Sequence, residues 1–171
     1  AGGGMYLNGG TYQIDSADDS IHSNANITIA DGTYTLATGD DGVHADDALI
    51  VNGGTITVTE SYEGLEGLTV TINDGTIDIT ASDDGINTAG EKMELNGGYI
   101  HILAGGDGVD SNGDLTINGG EIYIDGPSDN GNNAIDYGDR SSAYVNGGTL
   151  VAIGSSGMAE VMSDSSKQKV L

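Results

Sequence analysis

The stretch Leu49-Ile50-Val51-Asn52-Gly53-Gly54-Thr55-Ile56-Thr57-Val58 decides the reading of this chain. Leu49 and Val51 lie two apart before a Gly-Gly turn, and Ile56 and Val58 lie two apart after it. Successive side chains of an extended strand point to opposite faces, so this spacing buries one face on each side of the turn. Leu65, eleven residues past Gly54, adds a third apolar point. The stretch therefore encodes three short inward-facing segments.

The pattern recurs. With Gly54 as an anchor, its equivalents are Gly10, Gly32, Gly75, Gly98, Gly120 and Gly148, at spacings of 22, 22, 21, 23, 22 and 28 along the series. Residues five and three before each anchor, and two and four after it, are apolar or alanine throughout, ending in Ala143, Val145, Leu150 and Ala152. The position eleven past the anchor holds Ile21, Val43, Leu65, Ile86 and Val109, with Ile135 displaced by an insertion. A helical period is nowhere sustained. The expected fold is all-β, a parallel β-helix (solenoid) with three strands per ~22-residue coil and about seven coils. Glycine at the anchors supplies the positive φ needed where the chain corners. Tyr12 and Tyr34 fall at inward positions and are expected in the core, while Tyr6, Tyr99, Tyr123 and Tyr144 fall outward.

One domain is expected over residues 1–171, with regular coils in 1–125 and irregular final coils and a tail in 126–171. The first coil begins almost at residue 1. Either the chain is an excerpt of a longer protein, or an exposed β-helix end pairs with another copy to form a homo-oligomer.

Asp and Glu number 27 against 4 Lys and Arg, for a net charge of −23. Such a field repels nucleic acid and anionic membrane surfaces. No apolar run approaches the ~20 residues of a membrane-crossing helix, so membrane insertion is not expected. With no cysteine, disulfides and thiolate zinc sites are excluded.

The acids are concentrated at one edge of the repeat. Nine residues past the anchor stand Asp19, Asp41, Glu63, Asp84 and Asp107; one position earlier stand Asp18, Asp40, Tyr62 and Asp83. After the next short strand come Asp46, Asp47, Glu66, Asp110 and Asp136, with Asn87 among them. Stacked like charges ~5 Å apart cost about 1 kcal/mol per pair in water and more beside a low-dielectric wall. Oxygen donors from adjacent coils suit Ca²⁺, which takes six to eight of them. The expected calcium ligands are drawn from Asp18, Asp19, Asp40, Asp41, Asp46, Asp47, Glu63, Glu66, Asp83, Asp84, Asp107 and Asp110. Against this stands the plainer account that Asp-Asp-Gly makes good solvated turns; repetition at a single edge favours the ion. His22 and His44 share a column and could join a transition-metal site, or be ordinary surface residues.

Thr11, Thr33, Thr55, Thr76 and Thr149 form another outward column, which suits a solvated strand face. Tyr99, His101 and Tyr123 beside it are candidates for stacking on sugar rings, and Tyr62 lies among the carboxylates.

The segments Gly39-Asp40-Asp41-Gly42-Val43-His44-Ala45-Asp46, Ser61 to Gly67, and Ala81-Ser82-Asp83-Asp84-Gly85-Ile86-Asn87 resemble the bacterial polysaccharide-lyase-like β-helix family of carbohydrate-binding domains. Asn132 to Tyr137 and Gly154 to Ala159 resemble that family's last coils, so the likeness covers essentially the whole chain. It implies a right-handed three-sheet β-helix, bound calcium, an extracellular or cell-surface location, and non-catalytic binding to plant-type or acidic polysaccharide. The expected function is a non-catalytic, calcium-binding module for cell-wall polysaccharide, cellulosic or uronate-bearing.

Two other classes compete. A calcium-dependent polysaccharide lyase needs a Lys or Arg beside the metal edge, but Lys92, Arg140, Lys167 and Lys169 all lie outside the acidic repeats. A pectin hydrolase uses clustered aspartates with a histidine, which Asp40, Asp41 and His44 mimic. Their near-duplicate Asp18, Asp19 and His22 one coil earlier argues for a repeated structural device, because an active site occurs once. The remaining class is a structural or adhesive surface solenoid assembling end to end.

Overall fold

The computed structural model describes residues 3–90 and 92–169. Among these residues the chain is all-β, with sixteen strands and no helix. It winds into a parallel β-solenoid of about six turns. The stretch quoted first shows why. Its alternation sends Leu49, Val51, Ile56 and Val58 inward, and all four are almost wholly buried. Each such side chain contributes roughly 1.5–3 kcal/mol on burial.

The pairings run in parallel ladders from coil to coil. One joins residues 11–16 to 33–38, then Thr55–Glu60, Thr76–Ala81, Tyr99–Ala104, Glu121–Asp125 and Thr149–Ile153. Another joins residues 5–7, 27–29, 49–51, 70–72, Met93–Leu95, Leu115–Ile117 and Ala143–Val145. A short one joins Ile21–Ser23, residues 43–45 and 65–67, Ile86–Thr88, Val109–Asp110 and Ile135–Asp136. Equivalent residues therefore stack directly, and the outward columns of the sequence become continuous surfaces.

All seven anchor glycines have positive φ, from 86° at Gly98 to 124° at Gly32 and Gly75. Gly85 is glycine for another reason: an added Cβ would lie 2.3 Å from Ile102 Cγ2 and 2.5 Å from the carbonyl oxygen of Gly108. Two residues before the anchors, Asn52, Asn73, Asn96, Asn118 and Asn146 form an amide ladder, each donating to the one before it at 2.8–2.9 Å. The recurrent Asn before Gly-Gly or Asp-Gly was the signal for it.

The end coils depart from the expected burial. Tyr12 points inward in register but is 41% exposed, its ring stacked on buried Tyr34 at 5.2 Å. No described coil lies on its other side, so an inward position there does not become a core position. Ala152 in the last coil is likewise exposed. Residues of the tail lie against that coil: Ser163 N–H donates to Ala143 O at 2.7 Å, Gln168 N–H to Val145 O at 2.9 Å, and Met162 packs on the core.

Candidate functional site

The acidic edge is built of two columns. The first stacks Asp19, Asp41, Glu63, Asp84 and Asp107, as the spacing predicts, and continues to Asn133. The coil-six insertion shifts Asn133 out of the regular count, which is why the sequence reading missed it. The second column is the outward residue of the short ladder: His22, His44, Glu66, Asn87, Asp110 and Asp136. Backbone alternation fixes its direction, because Ile21, Val43, Leu65, Ile86, Val109 and Ile135 beside it are buried.

The first column is stitched by its own side chains. Asp19 Oδ1 accepts the Asp41 N–H at 3.1 Å, Asp41 Oδ1 the Glu63 N–H at 3.3 Å, and Asp84 Oδ1 the Asp107 N–H at 2.6 Å. Asp107 accepts the Asn133 N–H in the same way. Glu63 is one carbon longer and instead accepts from Asn87 Nδ2 at 3.0 Å. One oxygen of each aspartate thus holds the next coil, leaving the other free for the edge.

Burial sets the electrostatics. It is the chief cause that pushes Glu63, Glu66 and Asp84 up to about 7 and Asp107 up to about 6, with neighbouring carboxylates adding to the effect. Asp41 and Asp110 are also raised, again first by burial. Carboxyls held this close to neutrality gain from anything that offsets their charge, whether a proton or a cation.

Four groups of side chains bring potential ligand atoms within 4.8 Å of one another. They are Asp18, Asp19 and Asp40; Asp19, His22 and His44; Asp41, His44 and Glu66; and Asp84, Asp107 and Asp110. Among the described residues, Asp46, Asp47, Glu63 and Asp83 join none of these groups. Asp46 instead accepts from Asn24 Nδ2 at 3.2 Å. Asp83 faces the Tyr62 hydroxyl and, by hydrogen bonding and charge, pushes the phenol up to about 12. The Asp84 group contains oxygen donors alone. One rung on, Asn133 is 2% exposed and its Oδ1 has no hydrogen-bond partner. An oxygen-only group beside an orphaned buried carbonyl fits a hard cation such as Ca²⁺.

The predicted sugar-facing residues come together on the long ladder. The Tyr99 and Tyr123 rings lie 5.7 Å apart at 42°, one coil from each other. His101 pairs in register with Tyr123 on one side and Asp78 on the other, and its Nδ1 is 2.9 Å from Asp78 Oδ1. Buried Ile100, Ile102, Ile122 and Ile124 hold this face rigid from behind. Tyr62 is half exposed and belongs to the acidic edge instead. Lys92 pairs with Glu94 at 3.0 Å, away from both.

Residues 1–42 and 40–167 match the family model described as carbohydrate-binding domain-containing protein. The chain belongs to that family. No curated protein and no solved structure matches it. The family points to polysaccharide as the kind of ligand. No helix among the described residues is long and apolar enough to cross a membrane.

Proposed function

We propose that this domain is a non-catalytic module that binds cell-wall polysaccharide, cellulosic or uronate-bearing, and carries calcium at its acidic edge. The family match over nearly the whole chain carries this reading. Two surfaces support the reading: Tyr99, His101 and Tyr123 on one sheet as the proposed contact for sugar rings, and Asp84, Asp107 and Asp110, next to Asn133, as the proposed ion ligands. An anionic glycan approaching a domain of charge −23 is repelled unless a cation bridges the two sets of carboxylates. The binder is favoured over a lyase because, among the described residues, Lys92 pairs with Glu94 and no Lys or Arg forms an ion pair with an acid of the edge, where a proton-abstracting cation would be needed. An extracellular or cell-surface location goes with this ligand. The finer architecture we carry with it is a right-handed helix of three strands per coil and seven coils, supported by the seven anchors and the three runs of pairing.

The test is binding to polygalacturonate and to cellulose, in millimolar calcium and in chelator, with product analysis alongside. Binding without new reducing or unsaturated ends is expected. Sustained turnover would overturn the binder reading, and binding to neither polymer would remove the proposed ligand classes.

A further inference from the structure

The N-terminal half of the acidic edge holds two histidines that the calcium group at Asp84, Asp107 and Asp110 does not use. His44 Nδ1 lies 3.1 Å from Asp41 Oδ2, 3.3 Å from Glu66 Oε2 and 3.5 Å from Asp19 Oδ2. His22 Nδ1 lies 2.5 Å from the same Asp19 oxygen. These groups come from three successive coils, and their enclosure is graded. The Asp41 and Asp19 side chains are 8% and 10% exposed, while His44 is 28% exposed and forms the open side.

The distances suit an ion. Ligand atoms ~2.0–2.2 Å from a zinc-type ion stand ~3.0–3.5 Å from one another. The spacing of His44 Nδ1 from its three carboxylates falls in that interval. The aspartates are also pre-positioned, because the Oδ1 of each is committed to the next coil's N–H and Oδ2 is left facing the imidazole. Support extends outward as well. Asp46 Oδ1 is 3.6 Å from His44 Nε2 and 3.8 Å from His22 Nε2, with its other oxygen held by Asn24. An imidazole ligating through Nδ1 carries its proton on Nε2, and at these distances Asp46 gives that side a favourable charge rather than a hydrogen bond. The donor type then selects the ion, since Ca²⁺ takes oxygen while imidazole suits zinc, nickel and copper.

We propose that Asp41, His44 and Glu66, whose ligand atoms lie within 4.8 Å of one another, form a binding site for a transition dication of the zinc type, bordered on the His44 side by Asp19 and His22 and separate from the calcium group at Asp84, Asp107 and Asp110. It stands independently of the carbohydrate reading. The chain's three histidines make the test internal, because His101 faces a single carboxylate on the sugar face. Zn²⁺ is titrated into the protein in millimolar calcium while the imidazole carbon-proton signals are recorded. Those of His44 and His22 shift and saturate at one equivalent, while His101 stays in place. H44Q lowers zinc affinity by more than about tenfold, and D107N leaves it unchanged. E66Q, which keeps the volume of the side chain, serves the same purpose if H44Q does not fold. No histidine shift, an equal response from His101, displacement of zinc by millimolar calcium, or unaltered zinc affinity in folded H44Q or E66Q would each overturn the site.

Discussion

The two halves of the acidic edge share one backbone and differ in one outward column. In both, an aspartate in the first column gives one oxygen to the next coil's N–H and keeps the other at the surface. In the second column its neighbour in the same coil is His22 or His44 beside Asp19 and Asp41, and Asn87 or Asp110 beside Asp84 and Asp107. A repeat that fixes geometry can therefore vary ligand chemistry by a single position per coil. Nitrogen at that position makes one half a candidate for a borderline metal; oxygen makes the other a candidate for a hard one.

The most severe way to break this comparison is to disturb the register that both halves share. Gly85 lies at their boundary, where an added Cβ meets Ile102 and the backbone of Gly108. G85A is expected to cost about 3 kcal/mol by overpacking, read as a loss in urea-unfolding free energy. A stability within error of the parent would show that the coils yield there.

Removing calcium should separate the halves more gently. A ligand at 100 times its Kd stabilises the folded state by about 2.7 kcal/mol, so chelation should lower the Tm measurably. D107N should abolish most of that difference, and H44Q should leave it. Identical melting curves for the parent protein in chelator and in millimolar calcium would remove the ion from the oxygen-only half.

Acidity sharpens the same point. Glu63, Glu66 and Asp84 near 7 and Asp107 near 6 all sit above the ordinary carboxylate range. The folded state then binds protons before the unfolded state does. Their contribution to stability is present in full below about pH 4, where unfolded carboxylates titrate, and is lost as pH rises through 6 to 7. In chelator the domain should unfold at higher urea at pH 5 than at pH 8. With calcium present the protons compete with the ion, and the calcium-dependent increment should shrink toward pH 5. Lower stability at pH 5 than at pH 8 in chelator would mean that other groups dominate the titration.

The smallest expected effect lies off the edge altogether. Y123A removes half of the Tyr99–Tyr123 pair and should weaken polysaccharide binding by about 1 kcal/mol, roughly fivefold, with little change in Tm. Calorimetry in constant calcium isolates it from the metal. Unchanged affinity would move the glycan to the acidic edge, where Tyr62 and the carboxylates lie.

The sequence by itself determined the repeat. Positive φ at all seven anchors and burial of Leu49, Val51, Ile56, Val58 and their equivalents in the inner coils follow from a two-residue alternation around glycine, which is local chemistry. The first acid column was legible for the same reason, since equal spacing places equivalent residues in one stack. What depended on neighbours was not legible. Tyr12 is inward by count yet exposed, because burial needs a coil on each side. Asn133 continues the acid column across an insertion whose path no periodicity describes. The sequence placed His22 and His44 in one column and Asp19, Asp41 and Glu66 nearby. Only the tertiary structure turned His44 Nδ1 toward those three carboxylates, because rotamers in the edge are chosen by which oxygens the adjacent coil has already claimed.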